Sequence, residues 1–252
     1  MYIRAPQDHR KGISSTSSRC SFFKFMTDDL VHSLFHFLWP ETCPVCGRIG
    51  ISCCDGCMRS VVSPLPSFCA KCGAPYGLVC CSNSVPCHAL SLHEGISREL
   101  LLNLKYRNSR SLGIPMGRLM GETFIDKDAD ILIPVPLHRS GRREYNQSLL
   151  LAEGISQVWN IPADDKKLFW KNDILPQAGK TSSSRQMMPA DAMGSESLAG
   201  RSVVLVDDVY TTGNTLRAAI SAVEKAAGKV CSVLVWSRRV SSQDNEASWV
   251  KQ

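Results

Sequence analysis

Long apolar runs are missing from this chain. The longest near its start, residues 30–39, is interrupted by His32, Ser33 and His36, and a membrane span needs roughly 20 apolar residues. The opening residues also lack the charged, apolar and small-residue layout of an export signal, so a cytoplasmic location is expected. Aromatics are scarce, with five Trp, five Tyr and eight Phe in 252 residues. Only Tyr106 interleaves with the basic strips Arg98, Lys105, Arg107, Arg110 and Arg238, Arg239, too few aromatics for the stacking platform that single-stranded nucleic acid needs. Neither sign of charge dominates. A net charge of +6 and a pI near 8.7 favour an anionic ligand without indicating nucleic acid. No G-x-G-x-x-G follows a strand, which removes the dinucleotide fingerprint. Gly179-Lys180-Thr181 ends like a P-loop, but Ile174 stands where its first glycine is required. Cysteine is almost confined to one end, since only Cys231 of twelve lies beyond residue 90.

What is present is concentrated in VVLVDDVYTTGNT, residues 203–215. Val203, Val204, Leu205 and Val206 read as a buried strand, ended by two adjacent carboxylates, Asp207 and Asp208. A turn of hydroxyls and one glycine follows, and then a helical pattern from Asn214 to about Ala227. A strand, turn and helix N-terminus in that order can bind phosphate with backbone N–H groups and the positive end of the helix. Thr211, Thr212 and Thr215 add hydroxyl donors, and Gly213 permits close backbone approach. Two carboxylates beside such a cradle repel a bare phosphate. They suit a ligand that also offers hydroxyls or brings a divalent cation.

This stretch resembles the phosphoribosyl pyrophosphate (PRPP) signature of type I phosphoribosyltransferases. The resemblance implies that Asp207 and Asp208 hold the ribose hydroxyls, while Val209, Tyr210, Thr211, Thr212, Gly213, Asn214 and Thr215 wrap the 5′-phosphate. It also implies Mg²⁺ bound with PRPP. In purine-salvage members a carboxylate occupies the fifth signature position; here it is Thr211, which argues against a purine base as acceptor.

A second strand, Ile131-Leu132-Ile133, runs through Pro134-Val135-Pro136-Leu137 into His138, Arg139, Arg142 and Arg143, ahead of a helix expected over residues 146–159. Cations at a strand end suit a second anion such as pyrophosphate. Pro136, Leu137, Arg139, Arg142 and Arg143 are the candidates for it. The Gly/Ser/Thr-rich residues 176–185 could form a lid carrying Arg185, and Arg185 and Arg143 are the candidate catalytic cations, placed to stabilise leaving-group charge. Lys105 and Arg107 lie at the end of a further helical pattern and could reach the same anion.

The cysteines fall into pairs, Cys43-x-x-Cys46, Cys54-x-x-Cys57 and Cys69-x-x-Cys72. Each C-x-x-C offers two sulfurs to a tetrahedral ion, and Gly47 and Gly73 suit the turn behind the first and third pairs. Cys43, Cys46, Cys54 and Cys57 make one four-thiolate zinc ribbon. A second starts from Cys69 and Cys72. Its other half must come from Cys80, Cys81 and Cys87, with His88 as a substitute, and Cys81 and Cys87 are the expected pair. Four thiolates leave no open position, so the zinc is expected to be structural. Cys231 reads as a core residue.

Taken together, residues 28–239 resemble the competence ComF family of GntX-type proteins. The resemblance rests on the knuckles, Leu104-Lys105-Tyr106, the I-P-V-P-L run, Arg143-Glu144-Tyr145-Asn146-Gln147, and Gln177 with Arg185 to Met188. Glu144 and Met188 depart from its usual glycine and asparagine. The resemblance implies a link to DNA uptake, with single-stranded DNA as a further partner. A PRPP- or nucleotide-sensing module without turnover is the alternative.

The expected fold is α/β. It has a mostly parallel twisted sheet of the type I phosphoribosyltransferase kind over residues 95–239, and a small zinc-ribbon module with its own short helix over residues 26–94. Residues 1–25 and 240–252 are expected to be loose, polar extensions.

Overall fold

The computed structural model describes residues 40–77, 80–106, 109–126, 128–137, 144–171, 189 and 191–240. Its centre is a five-stranded sheet in the order β1-β2-β7-β6-β3. The strands are β1 (Phe68–Cys69), β2 (Pro86–Leu92), β3 (Ile131–Pro134), β6 (Ser202–Tyr210) and β7 (Lys229–Arg238). β2, β7, β6 and β3 run parallel, and only β1 is antiparallel to its neighbour. A separate antiparallel pair, β4 (Leu168–Trp170) and β5 (Met193–Ser195), lies to one side. The helices are α1 (Asp55–Arg59), α2 (Gly95–Tyr106), α3 (Gly113–Thr123), α4 (Gln147–Trp159) and α5 (Asn214–Lys225).

Alternation along the strands divides the core. Val203 and Leu205 of β6 face one apolar layer, together with Ile131 and Ile133 of β3 and the Leu216, Ala219, Ile220 and Val223 stripe of α5. Val204 and Val206 face the other layer, where Leu132, Leu234 and Trp236 meet α2, α3 and α4. Strands buried on both faces read as continuous apolar runs, which is why β6 stands out in the sequence. In the second layer α3 and α4 cross closely. A Cβ on Gly117 would lie 2.2 Å from the Leu151 carbonyl oxygen, and one on Gly154 would lie 2.3 Å from that of Ile114. The G-x-x-x-G-x-x-x-G spacing of Gly113, Gly117 and Gly121 makes this contact possible.

The structure corrects the expected extent of the sheet. It begins at Phe68 and not near residue 95, because β1 and β2 pair into it. β6 is also longer than the four apolar residues suggested. It continues through Asp207, Asp208 and Val209 to Tyr210, held by pairing with β7 up to Arg238. Backbone hydrogen bonding to a neighbour of equal length overrides the break that two carboxylates imply. Cys231 is only partly buried and lies outside the core. The short helix expected before residue 40 and the tail from residue 241 lie outside the described residues. Among the described residues, no helix is long and apolar enough to cross a membrane.

Candidate functional site

The carboxyl ends of the parallel strands converge on the two acids of β6. Asn146 caps α4: its side chain accepts from the Ser148 amide at 3.1 Å and donates to the Val135 carbonyl at 3.0 Å. That cap fixes the first turn of α4 against the end of β3, so the Ser148 hydroxyl donates to Asp207 Oδ1 at 3.0 Å. The same oxygen accepts from the Asp208 amide at 2.8 Å. Asp208 Oδ2 pairs with Lys105 Nζ at 2.7 Å, both side chains being largely buried. Lys105 is the penultimate residue of α2, so a helix from the opposite edge of the sheet supplies the counter-ion.

The two carboxylates are adjacent and partly buried, and they cannot both ionise cheaply. Burial and the neighbouring Asp208 charge push Asp207 up to about 7, although the Asp208 amide, the Ser148 hydroxyl and Lys105 pull the other way. Around them the field is positive. His93 at the end of β2 is lowered by burial and by Lys105, Arg98 and Arg239. Its Nδ1 meets the Ser237 hydroxyl at 2.9 Å.

Beyond Tyr210 the chain turns through Thr211 and Thr212, both exposed, to Gly213, whose φ of +71° suits glycine. α5 then begins at Asn214, and the Arg217 amide makes a first helical bond to the Gly213 carbonyl at 2.8 Å. The preceding amides of that first turn have no acceptor within the helix, as at any helix N-terminus. Tyr210, expected among the ligand contacts, turns into the core. It is 4% exposed, sits 4.7 Å edge-on to Phe68, and its carbonyl accepts from the Arg239 amide. Val209 packs on the helical layer. Pro136 and Leu137 follow β3 at the same sheet end, and the Pro136 carbonyl accepts from Trp170 Nε1 at 3.0 Å. Arg139, Arg142, Arg143 and Arg185 lie outside the described residues. Arg238 leaves the basic strip to which the sequence assigned it. It is 3% exposed, with its guanidinium 4.0 Å over the Phe68 ring.

The cysteines form two clusters, Cys43, Cys46, Cys54, Cys57 and Cys69, Cys72, Cys80, Cys81, with all four sulfurs of each within 4.8 Å of one another. Sulfurs around a tetrahedral zinc at about 2.3 Å stand roughly 3.8 Å apart. Here Cys69–Cys81 and Cys72–Cys80 are 3.7 Å apart and Cys46–Cys54 is 3.5 Å. Those spacings fit a four-thiolate ion and are too long for disulfides. Burial opposes ionisation of Cys43 and Cys69, but backbone N–H donors in each knuckle bring both down to about 6.

Cys80 replaces the expected Cys87. Cys87 lies on β2 with its side chain wholly buried among Phe68, Ala70 and Val85, and its thiol is pushed well up by that burial. A signal for Cys80 was present in the chain. The two knuckles repeat at an interval of 26: Gly47 N donates to Cys43 O and Gly73 N to Cys69 O, both at 2.8 Å. Bridges Thr42–Ile49 and Phe68–Pro75 match at the same offset. Shifted by that interval, Cys54 falls on Cys80.

Residues 146–252 match the family model described as "Phosphoribosyl transferase domain", so the chain carries a phosphoribosyltransferase-like domain. No curated protein matches the chain. Among solved structures, UMP synthase from Leishmania donovani is 18% identical with a TM-score of 0.36, over 69% of this chain and 31% of that one. Adenine phosphoribosyltransferase from Thermoanaerobacter pseudethanolicus is 14% identical with a TM-score of 0.35, over 72% and 85%. The corresponding enzyme from Leishmania tarentolae is 12% identical with a TM-score of 0.32, over 52% and 73%. An allosteric regulatory enzyme of purine biosynthesis is 18% identical with a TM-score of 0.33, over 49% and 24%. The chain thus spans about a quarter to a third of the first two structures it matches, the latter enzyme and the synthase. Such scores are too low to transfer a substrate or a mechanism to this chain.

Proposed function

We propose that this protein binds PRPP at the end of β6 and transfers its phosphoribosyl group. The observation that carries the reading is the pair Asp207–Asp208, held at the carboxyl end of a buried parallel strand immediately before a glycine turn and a helix N-terminus, all within the matched residues. The helix end and the threonine hydroxyls receive the 5′-phosphate, and the two carboxylates accept from the ribose 2′- and 3′-hydroxyls. Mg²⁺ carried in with the pyrophosphate would neutralise its charge, and Asp207 and Asp208 would offer it carboxylate oxygens. Breakage of the C1–O bond leaves oxocarbenium character on the ribose and negative charge on the pyrophosphate. Arg142, Arg143 and Arg185 are the residues assigned to that charge, with Arg139, Pro136 and Leu137 completing the pyrophosphate loop. The acceptor in this reading is one that needs no carboxylate at the position of Thr211, which argues against hypoxanthine and guanine.

The finer reading, a ComF-type protein linked to DNA uptake, is supported by the knuckles and by the run from Ile133 to Leu137. Two structural zinc ions belong to it, one in each four-cysteine cluster. Titration calorimetry with PRPP and Mg²⁺ tests the proposal. Binding by the native protein, weakened at least 100-fold in Asp207→Asn/Asp208→Asn with the circular dichroism unchanged, is the expected result. No binding by the native protein ends it. Pyrophosphate release on adding candidate acceptors then separates turnover from mere sensing.

A further inference from the structure

The two cysteine clusters dock on opposite faces of the sheet. The first packs Cys43, Cys53, Met58 and Val61 into the layer of α2, α3 and α4. Its polar ties run to the far side of that layer, Arg59 to Glu122 at 2.9 Å and Glu41 to Ser111 at 3.3 Å. The second sits on the other face, against the turn that begins α5.

Three contacts tie it there. The Lys71 amide donates to Cys69 Sγ at 3.4 Å, and the carbonyl of that same residue accepts from Arg217 Nη1 at 2.6 Å. Arg217 also reaches Asn214 Oδ1 in the first turn of α5. One residue therefore joins a metal-ligating sulfur to the first turn of the phosphate helix. Second, the Tyr210 hydroxyl is lodged between two glycines: a Cβ on Gly73 of the knuckle would come within 3.1 Å of it, and one on Gly213 of the turn within 2.8 Å. That same Cβ on Gly213 would lie 2.8 Å from the Ala70 carbonyl oxygen, inside the Cys69-x-x-Cys72 loop. Third, Arg238 donates to the Gly73 carbonyl at 2.9 Å while its guanidinium lies over Phe68 and 5.6 Å from the Tyr210 ring. Lys71 Nζ adds an outer pair with Glu224 at 3.1 Å.

We propose that the second knuckle is the buttress of the phosphate-binding turn, so that a metal ion on Cys69, Cys72, Cys80 and Cys81 sets the order of residues 211–215 and hence their affinity for a phosphorylated sugar. Arg217 is the positioning residue that transmits it. Without the ion the four sulfurs no longer fix the loop at 69–73. The Lys71 carbonyl, the Ala70 carbonyl and Gly73 then cease to define where Arg217, Gly213 and Tyr210 sit. Linkage makes the effect reciprocal: a bound phosphate that holds the turn must also raise the affinity for the second ion. Among the described residues, no hydrogen bond joins the first cluster to the turn at 211–215.

Hydrogen exchange of the full-length, metal-loaded protein tests the order of the turn without any ligand. Cys80→Ser/Cys81→Ser should lose one metal ion and speed exchange over residues 208–218 about tenfold or more, within the usual range of coupling between sites, while residues 43–58 stay protected. Should that variant fail to fold, Arg217→Met decides, because it touches no ligand. It should keep both ions and still speed exchange in the turn, and Arg217→Lys should restore it partly. The affinity half rests on the phosphoribosyl reading: the dissociation constant for PRPP with Mg²⁺ should rise about tenfold in Arg217→Met. A native protein that ignores PRPP would overturn that reading and leave the exchange measurement to judge the buttress. Unchanged exchange over residues 208–218 in Arg217→Met, or in a folded double-serine variant, would overturn the buttress itself.

Discussion

Replacing Asp207 by Asn should make the protein more stable above neutral pH while weakening, without abolishing, its ligand affinity. The ordinary carboxyl value of 3.8 is raised to about 7 by burial and by Asp208. Between those values the folded chain holds a proton that the unfolded chain has released. Stability therefore falls as pH rises from about 4 to about 7, and the penalty is complete above that. At about 1.4 kcal/mol per tenfold change, the rise from 3.8 to about 7 sets the full penalty on the order of 4 kcal/mol. Asn is the fitting replacement because both hydrogen bonds, from Ser148 and from the Asp208 amide, end on Oδ1, which an amide oxygen can still receive. Urea unfolding followed by circular dichroism, at intervals from about pH 5 to about pH 8.5, gives the difference between variant and native protein and cancels the titrating groups that do not interact with Asp207. The variant should gain on the native protein as pH rises and level off near pH 8. A constant difference across that range would show that Asp207 ionises without cost, and the account of the acid pair would be wrong.

Other outcomes follow from the same contacts. PRPP affinity should rise with pH through about 7 as Asp207 loses its proton, and this component should vanish in Asp207→Asn, leaving only the titration of the phosphate near 6. Lys105→Met removes the partner of Asp208. It should cost about 2–4 kcal/mol at neutral pH in urea unfolding, and a loss under about 0.5 kcal/mol would show the ion pair to be idle. Gly117→Ala forces a methyl against the Leu151 carbonyl and should destabilise by about 3 kcal/mol; an unchanged melting temperature would mean that α3 and α4 part easily. Atomic absorption should find two metal ions per chain, one fewer after Cys80→Ser/Cys81→Ser and still two after Cys87→Ser.

The sheet and its signature turn were legible because both obey local rules. Four apolar β-formers, two acids, a glycine and a helical stripe state their geometry within 25 residues. The first cysteine cluster was legible for the same reason, since two C-x-x-C pairs sit close together. What escaped was set by distant partners. β2, with the sequence PCHALSL, alternates weakly and carries a cysteine, so it reads as part of the knuckle region; pairing with β7 makes it a sheet strand. Cys87 was attractive as a ligand because it follows Cys81 at a plausible interval, but its strand turns the side chain into the core. Lys105 was seen as a cation near the site, yet only the packing of α2 shows that it meets Asp208. Ser148 carried no signal, because a serine in a helix N-terminal turn is commonplace until the strand beside it ends in an acid.

The acid pair and its surroundings explain why the site is built from parts of the chain so far apart. A carboxylate held by strand, helix cap and neighbouring charge near neutrality is costly to keep, and such costs gather where function requires them. Lys105 neutralises Asp208, and Ser148 supplies one donor to Asp207. Under the proposed function, ribose hydroxyls would add donors to both acids and Mg²⁺ would add positive charge beside them, which would offset the cost of ionising Asp207. Lys105 is then free to turn from Asp208 toward the pyrophosphate. If so, Lys105→Met should weaken binding of PRPP more than that of ribose 5-phosphate, which has no pyrophosphate to receive the ammonium. A difference of about tenfold between the two ligands is the expected size for one charge-assisted contact. Equal weakening of both would place Lys105 solely in the support of Asp208.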